Sequence, residues 1–435
     1  MKDKSFLFPK KVYLSGADWF LHVLDNAADK KSFDFNIIRI VLDVENENYA
    51  TTIINRLKQH DLVKWMLNIQ LEKPFFFSKP YWKFKNSTNE LTVNYHELGQ
   101  NSLYDLKLFQ QAMRVNKTPL FACDCVKENG VVSKIILSIH HVLMDGRGAS
   151  FFLEELHANE FPLKDIFDKF HYFPKENTTK ISWYKHVKNM YFIKHFMNQQ
   201  QSKNNANFNN LSSNSFKIQV VTFDELESLQ IINNAQLNGA KFGLNQFLLA
   251  VSIKEITELF REKNIQGDCW LPIPYDGRKR GGNGPIISNE ISFLFYRIQQ
   301  AEQKSIEAIV QEIQFQMMDQ LRQDLPKKYS LFLEMMQYIP EKLFSFLILR
   351  ASAGNLASFL YSASIEQARD VSNKFELQAK NMLIIPPFSS PPGLTISFIN
   401  FSGQLSLNLV YDEALLSETE LLAIVVRLKH KLLGN

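Results

Sequence analysis

The chain has 435 residues, 45% of them hydrophobic, enough to bury two cores, and domain-size statistics favour two lobes over one. Its 49 lysine and arginine residues against 45 aspartate and glutamate residues leave a net charge of +4 without a basic block, which argues against a nucleic-acid partner. Three cysteines, Cys123, Cys125 and Cys269, are too few for a disulfide framework and predict reduced thiols in a cytosolic compartment.

The first eleven residues are charged and lack the apolar run of a signal peptide, so no targeting segment is expected and the N-x-[ST] site at 86–88 is read as unused. A strand is predicted over 36–44 and a helix over 49–60, so the stretch from 12 to about 185 reads as an α/β lobe. Cys123 and Cys125 fall on a further strand, with their thiols expected on opposite faces. Residues 134–139 are apolar and β-branched and predict a strand at least half buried. It runs into His140 and His141. Asp145, Gly146, Arg147 and Gly148 then signal a turn before helical spacing resumes over 149–157.

This segment carries the chemistry. Side chains alternate across a strand, so His140 and His141 project to opposite sides and only one faces a given channel. Imidazole titrates nearest neutrality and can take a proton from a hydroxyl or amine and return it to a leaving thiolate. Asp145 is placed to hold the turn, and a buried carboxylate there needs a cationic partner or backbone donors. A pair of satisfied core histidines is the bland alternative, and the Asp and Gly at fixed offsets weigh against it. No metal is expected, because adjacent strand histidines diverge and no third ligand stands at the spacing of a zinc site.

Residues 198–215, rich in Gln, Asn and Ser, read as a linker between lobes at 1–197 and 216–435. The second lobe is predicted to open with a strand over 216–223, a helix over 245–260 and a strand over 269–274. The glycine cluster at 281–284 lacks the spacing of a phosphate-binding loop and reads as a flexible loop. A strand follows over 289–298. Residues 343–363 are the most hydrophobic stretch, broken by Arg350, Gly354 and Asn355; they read as a buried helix pair, with a lipid-touching surface as the alternative. Alternating residues over 394–400 and 404–411 flank Ser402-Gly403 as a hairpin, and Ser417 and Glu420 stand at capping-box spacing before a last helix.

The His140, His141, Asp145, Gly146 pattern, HHxxxDG, resembles the signature of the coenzyme A-dependent acyltransferase superfamily, which includes chloramphenicol acetyltransferases, condensation domains, plant alcohol acyltransferases and wax ester synthase/diacylglycerol acyltransferases. Leu14-Ser15-Gly16-Ala17-Asp18-Trp19-Phe20 resembles the LSxxD opening of the last branch, and Pro119-Leu120-Phe121 its PLW. Leu271-Pro272-Ile273-Pro274 leads to Arg278, and Asn289-Glu290-Ile291-Ser292-Phe293 resembles its GN-hydrophobic-S strand, with Ser288 in place of the Gly. The plant DFGWG motif is missing, and the histidines lie in the first third of the chain, unlike chloramphenicol acetyltransferase.

The resemblance implies an α/β fold of two chloramphenicol acetyltransferase-like lobes, a V-shaped pseudo-dimer with a central cleft, and a second-lobe element, here the hairpin near residue 400, crossing to the first. It implies a monomer that moves an acyl group from acyl-CoA or a phosphopantetheinyl-carrier thioester to a hydroxyl acceptor, with no tightly bound cofactor. His141 is then the general base and His140 steadies the loop. Arg278 pairs with Asp145, and backbone N–H groups near Gly146 or the side chains of Asn289 or Ser292 hold the oxyanion. A free-standing condensation-type enzyme using a carrier-bound acyl group and an amine is the nearest alternative. A non-catalytic lipid- or carrier-binding protein and a thioester hydrolase are the alternatives of other classes.

Overall fold

The computed structural model describes residues 9–28, 33–75, 77–85, 89–99, 102–157, 172–174, 183–201, 204–208, 215–278, 285–351, 356–364 and 379–435. A five-stranded sheet runs in the order Met382–Ile385, Ile37–Asp43, Val131–His140, Phe121–Glu128, Val93–Glu97. The strand that delivers the histidines is its centre, with Ile37 opposite His140 and residues 135–140 all buried. Covered on both faces, such a strand reads as a near-continuous apolar run. Cys123 and Cys125 both sit in the core beneath it. The expectation of opposite faces is corrected, because residues two apart on a strand point the same way.

The sheet's outer strand comes from the C-terminal half of the chain: Met382 pairs with Leu42 and Ile385 with Arg39. Phe388–Ser390 pairs with Phe33–Phe35 beside it. This segment makes the crossing that the sequence assigned to the hairpin near residue 400. The hairpin itself, Leu394–Phe401 and Gln404–Asp412, is buried on both faces and has Leu360–Ser364 on one edge and Phe216–Thr222 on the other, so neither edge is left for the first sheet. Its turn uses positive φ at Ser402 (51°) and Gly403 (88°), as a twisted two-residue connection requires.

Two large cores result. The first takes in Leu325, Tyr329, Leu333, Met336 and Phe344, which belong to helices Leu325–Met336 and Glu341–Ala351, far along the chain. The second fills the C-terminal half, and a smaller cluster including Ile37, Ile136, Ile218 and Val410 joins the two sheets. Within the expected linker, helix Trp183–Gln201 occupies the first residues, and Ala206 and Phe208 are buried in the second core with Asn205 bridging Asp268. The rest of that stretch, the glycine cluster at 281–284 and the site at 86–88 lie outside the described residues. The hydrophobic stretch from 343 is not a buried helix pair: one helix, Glu341–Ala351, leaves Leu343, Phe346 and Leu347 exposed, and the strand Leu360–Ser364 follows. Among the described residues no helix is long and apolar enough to cross a membrane.

Cys269–Asp276 and Ile291–Ile298 form an antiparallel pair. The outer edge of Ile291–Ile298 is closed by helix Ile306–Arg322. Gln316 bonds the N–H and C=O of Arg297 at 2.9 and 2.7 Å, and Gln320 those of Phe295 at 2.8 and 2.7 Å. Glutamines four apart share a helix face, and residues two apart present their backbone groups on one strand edge, so two amides stand in for a missing strand. The start of this edge strand lies against the histidine turn, where Ser288 bridges Met144.

Candidate active site

The first sheet's ladder ends in a turn whose backbone groups are tied one by one. His140 N–H bonds Leu120 O at 3.0 Å, His141 N–H bonds Asn36 O at 2.8 Å, and Leu143 N–H closes the turn on His140 O at 2.9 Å. Asp145 then caps helix Gly146–His157, accepting the Gly148 N–H at 2.8 Å. A Cβ on Gly148 would lie 2.5 Å from Ile286 O, so a glycine at this position lets the second-half segment approach. Gly146 opens the helix, and its carbonyl accepts from Ser150 Oγ at 3.0 Å.

The His141 ring is partly exposed while its Nδ1 is buried without a hydrogen-bond partner. Burial pushes its pKa down from the ordinary imidazole value, against the pull of its own carbonyl and of Asp145. The ring is therefore neutral near pH 7. Its carbonyl accepts from Asn289 Nδ2 at 2.8 Å, so the two halves of the chain grip one residue, Asn36 on the N–H and Asn289 on the C=O.

Asp145 Oδ2 accepts from Arg278 Nη1 at 2.8 Å and from Glu290 N–H at 2.9 Å, both partners from the second half. The Arg278–Asp145 pair that the resemblance implied is thus formed, with both side chains nearly buried. Burial works against the charge of Arg278, and the adjoining Asp145 carboxylate outweighs it, so the guanidinium pKa is raised. With two backbone N–H donors and a hydrogen-bonded guanidinium, Asp145 has the compensation a buried carboxylate needs. It holds the loop to the second half of the chain.

Asn289 and Ser292 are not available as oxyanion donors. Both N–H bonds of Asn289 Nδ2 are committed, to His141 O and to Asp18 Oδ1 at 2.8 Å each, and Ser292 Oγ donates to Pro326 O at 2.5 Å. A side chain whose donors are spent on fixed carbonyls cannot turn to a transient charge. Of the first N–H groups of helix Gly146–His157, which have no partner within the helix, Gly148 and Ala149 are spent on Asp145, and those of Gly146 and Arg147 are left as donors beside the motif.

Two carboxylates behind the histidines were not assigned a role from the sequence. Asp18 forms a reciprocal cap with Ser15 at the start of helix Gly16–Ala28 and also accepts the Asn289 N–H at 2.7 Å. Burial pushes its carboxyl up to about 7, while the bonds from Asn289 and Ser15 pull it down. Seven residues on, on the same helix face, Asp25 is buried with Oδ2 3.5 Å from His140 Nε2 and Oδ1 3.6 Å from Arg114. His140 Nδ1 accepts the Val142 N–H at 3.3 Å, so its Nε2 carries the proton that faces Asp25. His140 is sealed in the core and braces the turn from behind. The clue in the sequence was the polar spacing Asp18, His22, Asp25 within an apolar helix, all three buried. A cavity of about 320 Å³ lies at the far end of strand Ile291–Ile298 against Trp270, Phe295 and Phe315, and neither histidine lines it.

No protein-family model matches the chain, and no curated protein matches it. Solved structures do. It superposes on trichothecene 15-O-acetyltransferase from Fusarium sporotrichioides with a TM-score of 0.68 at 12% identity, covering 98% of this chain and 95% of that one. The first condensation domain of the calcium-dependent antibiotic synthetase gives 0.65 at 12% identity, covering 98% and 96%. The wax ester synthase/diacylglycerol acyltransferase from Marinobacter aquaeolei gives 0.56 at 12% identity, covering 97% and 100%. Likeness over the full length at such low identity establishes architecture: the chain has the two-lobed fold shared by these acyltransferases and condensation domains.

Proposed function

We propose that the protein is an acyltransferase that moves an acyl group from a thioester, acyl-CoA or a carrier-bound phosphopantetheine, to a hydroxyl acceptor. The observation that carries this reading is His141: a partly exposed imidazole, held neutral by burial and clamped through its backbone by Asn36 and Asn289. The imidazole takes the hydroxyl proton as the oxygen attacks the thioester carbon. The new C–O bond gives a tetrahedral oxyanion, for which the N–H groups of Gly146 and Arg147 at the start of helix Gly146–His157 are the remaining donors. The C–S bond then breaks, and the imidazolium returns the proton to the departing thiolate. One base and two bound substrates suffice, so no acyl-enzyme is needed.

The decisive experiment incubates the protein with acyl-CoA thioesters of graded chain length and a panel of alcohols and amines, reading free thiol and identifying products by mass spectrometry. Ester formation with acceptor-dependent thiol release is expected, and His141→Ala is expected to lower it about a hundredfold to ten-thousandfold with the fold intact. Thiol release without an acceptor identifies a hydrolase. Amide products identify the condensation-type reaction, which the match to condensation domains keeps as the second reading.

A further inference from the structure

Three segments separated in sequence meet on one side of the molecule. The loop after strand Ile69–Glu72 is tied to the end of helix Leu325–Met336: Lys73 Nζ donates to Gln337 O and Ile339 O at 2.6 and 2.8 Å, and Lys79 lies 3.9 Å from Glu334 and over the Tyr338 ring. Helix Trp183–Gln201 packs on the same helix and on Glu341–Ala351. At their outer surface the apolar side chains face solvent. Phe75 and Phe77 are 76% and 77% exposed, Tyr191 75% and Phe346 53%, with Leu343 and Leu347 beside Phe346. Single exposed apolar residues need no explanation, but several large ones on three elements that are tied or packed together do.

Charge says what meets it. Residues 72–85, 183–201 and 325–351 hold eleven lysine or arginine residues against three glutamates, whereas the whole chain is only +4, so the remainder is net negative. Helix Trp183–Gln201 contains no acidic residue at all. We propose that this face docks on an anionic lipid bilayer, with Phe75, Phe77, Phe346 and Leu347 entering the headgroup region and the exposed lysines of the neighbouring helices, Lys188 and Lys342 among them, contacting lipid phosphates. Exposed aromatic side chains on a loop and a helix, with exposed lysines such as Lys188 and Lys342 on the helices packed beside them, suit an interface that is apolar inside and diffusely negative outside. An acidic protein surface would need the lysines but would leave the two loop phenylalanines in water. The docking stands whether or not His141 moves a proton.

Co-sedimentation of the full chain with vesicles of phosphatidylcholine alone and of phosphatidylcholine mixed with phosphatidylglycerol tests it, with soluble polyglutamate as a charge-only probe. Binding is expected to the anionic vesicles and to weaken in high salt. Lys188→Gln with Lys342→Gln, and separately Phe75→Ser with Phe77→Ser, are each expected to reduce partition about tenfold or more while circular dichroism stays unchanged. No preference for anionic vesicles overturns the proposal. So does binding that the phenylalanine pair leaves unchanged while polyglutamate competes fully, since that behaviour marks a site for an acidic protein.

Discussion

Asp145 shows how a motif residue can serve the fold through its hydrogen bonds. Its two oxygens accept from Gly148, Glu290 and Arg278, which fastens the histidine turn to the second half of the chain. Removing one partner of a buried pair strands the other, so Asp145→Ala and Arg278→Met are each expected to lower unfolding free energy by about 3–5 kcal/mol, read by urea denaturation. A loss below about 1 kcal/mol would mean the pair is solvated. Asp25 acts through His140 and the Val142 N–H on the loop that presents His141. If transfer is confirmed, Asp25→Ala is expected to lower kcat about tenfold with KM little changed, and Asp25→Asn to recover most of it, because an amide oxygen still faces His140 Nε2 across the 3.5 Å gap. Equal effects of Ala and Asn on kcat and KM would reduce Asp25 to a core residue. The lowered pKa of His141 has its own signature: the imidazole stays a base down to pH values below the ordinary 6.5, so the acid limb of kcat/KM is expected to lie below that value.

The elements show where a linear reading succeeds. The histidine strand, the turn at Asp145 and the terminal hairpin follow from local pattern, and the box at Ser417 and Glu420 is present as expected. Partners hundreds of residues apart are not encoded in local pattern. Nothing in Met382–Ile385 says that its neighbour is Ile37–Asp43, and the glutamines that seal Ile291–Ile298 look like ordinary helix surface until the strand is in place. The site was legible in the same measure. The motif singled out His141, whose role is a proposal, and the family resemblance pointed to the Arg278–Asp145 pair, which is formed, whereas the bonds that commit Asn289 to Asp18 and Ser292 to Pro326 leave no trace in spacing. The glutamine pair has a direct test. Gln316→Ala with Gln320→Ala bares four backbone groups of an edge strand, and a loss of about 2–4 kcal/mol with concentration-dependent aggregation is expected. Unchanged stability and clean monomeric light scattering would show that water replaces the amides without cost.

The response of the whole molecule to acid follows from which buried groups refuse a proton and which hold one. Burial pushes His22 and His157 each down to about 4, and lowers His141 as well. An unfolded imidazole takes its proton near 6.5, so between about 4 and 6.5 the unfolded chain binds more protons than the native one. Stability from these residues is complete above that window and drains as pH falls through it. Asp18 opposes them: its carboxyl, raised to about 7, keeps a proton in the native state that the unfolded chain releases near 4, so its contribution is greatest in acid and is lost as pH rises through 7. Two deeply buried imidazoles and a partly exposed one outweigh a single carboxyl, leaving a net difference of roughly one to two protons and a slope of about 2 kcal/mol per pH unit. Urea midpoints are therefore expected to fall steadily on acidification across this window. His157→Gln, which keeps one of the two bonds that His157 makes to Tyr49 and Leu153, is expected to flatten that fall by about one proton. A midpoint that holds level over the same range would show that these rings meet water and take their protons without unfolding the chain.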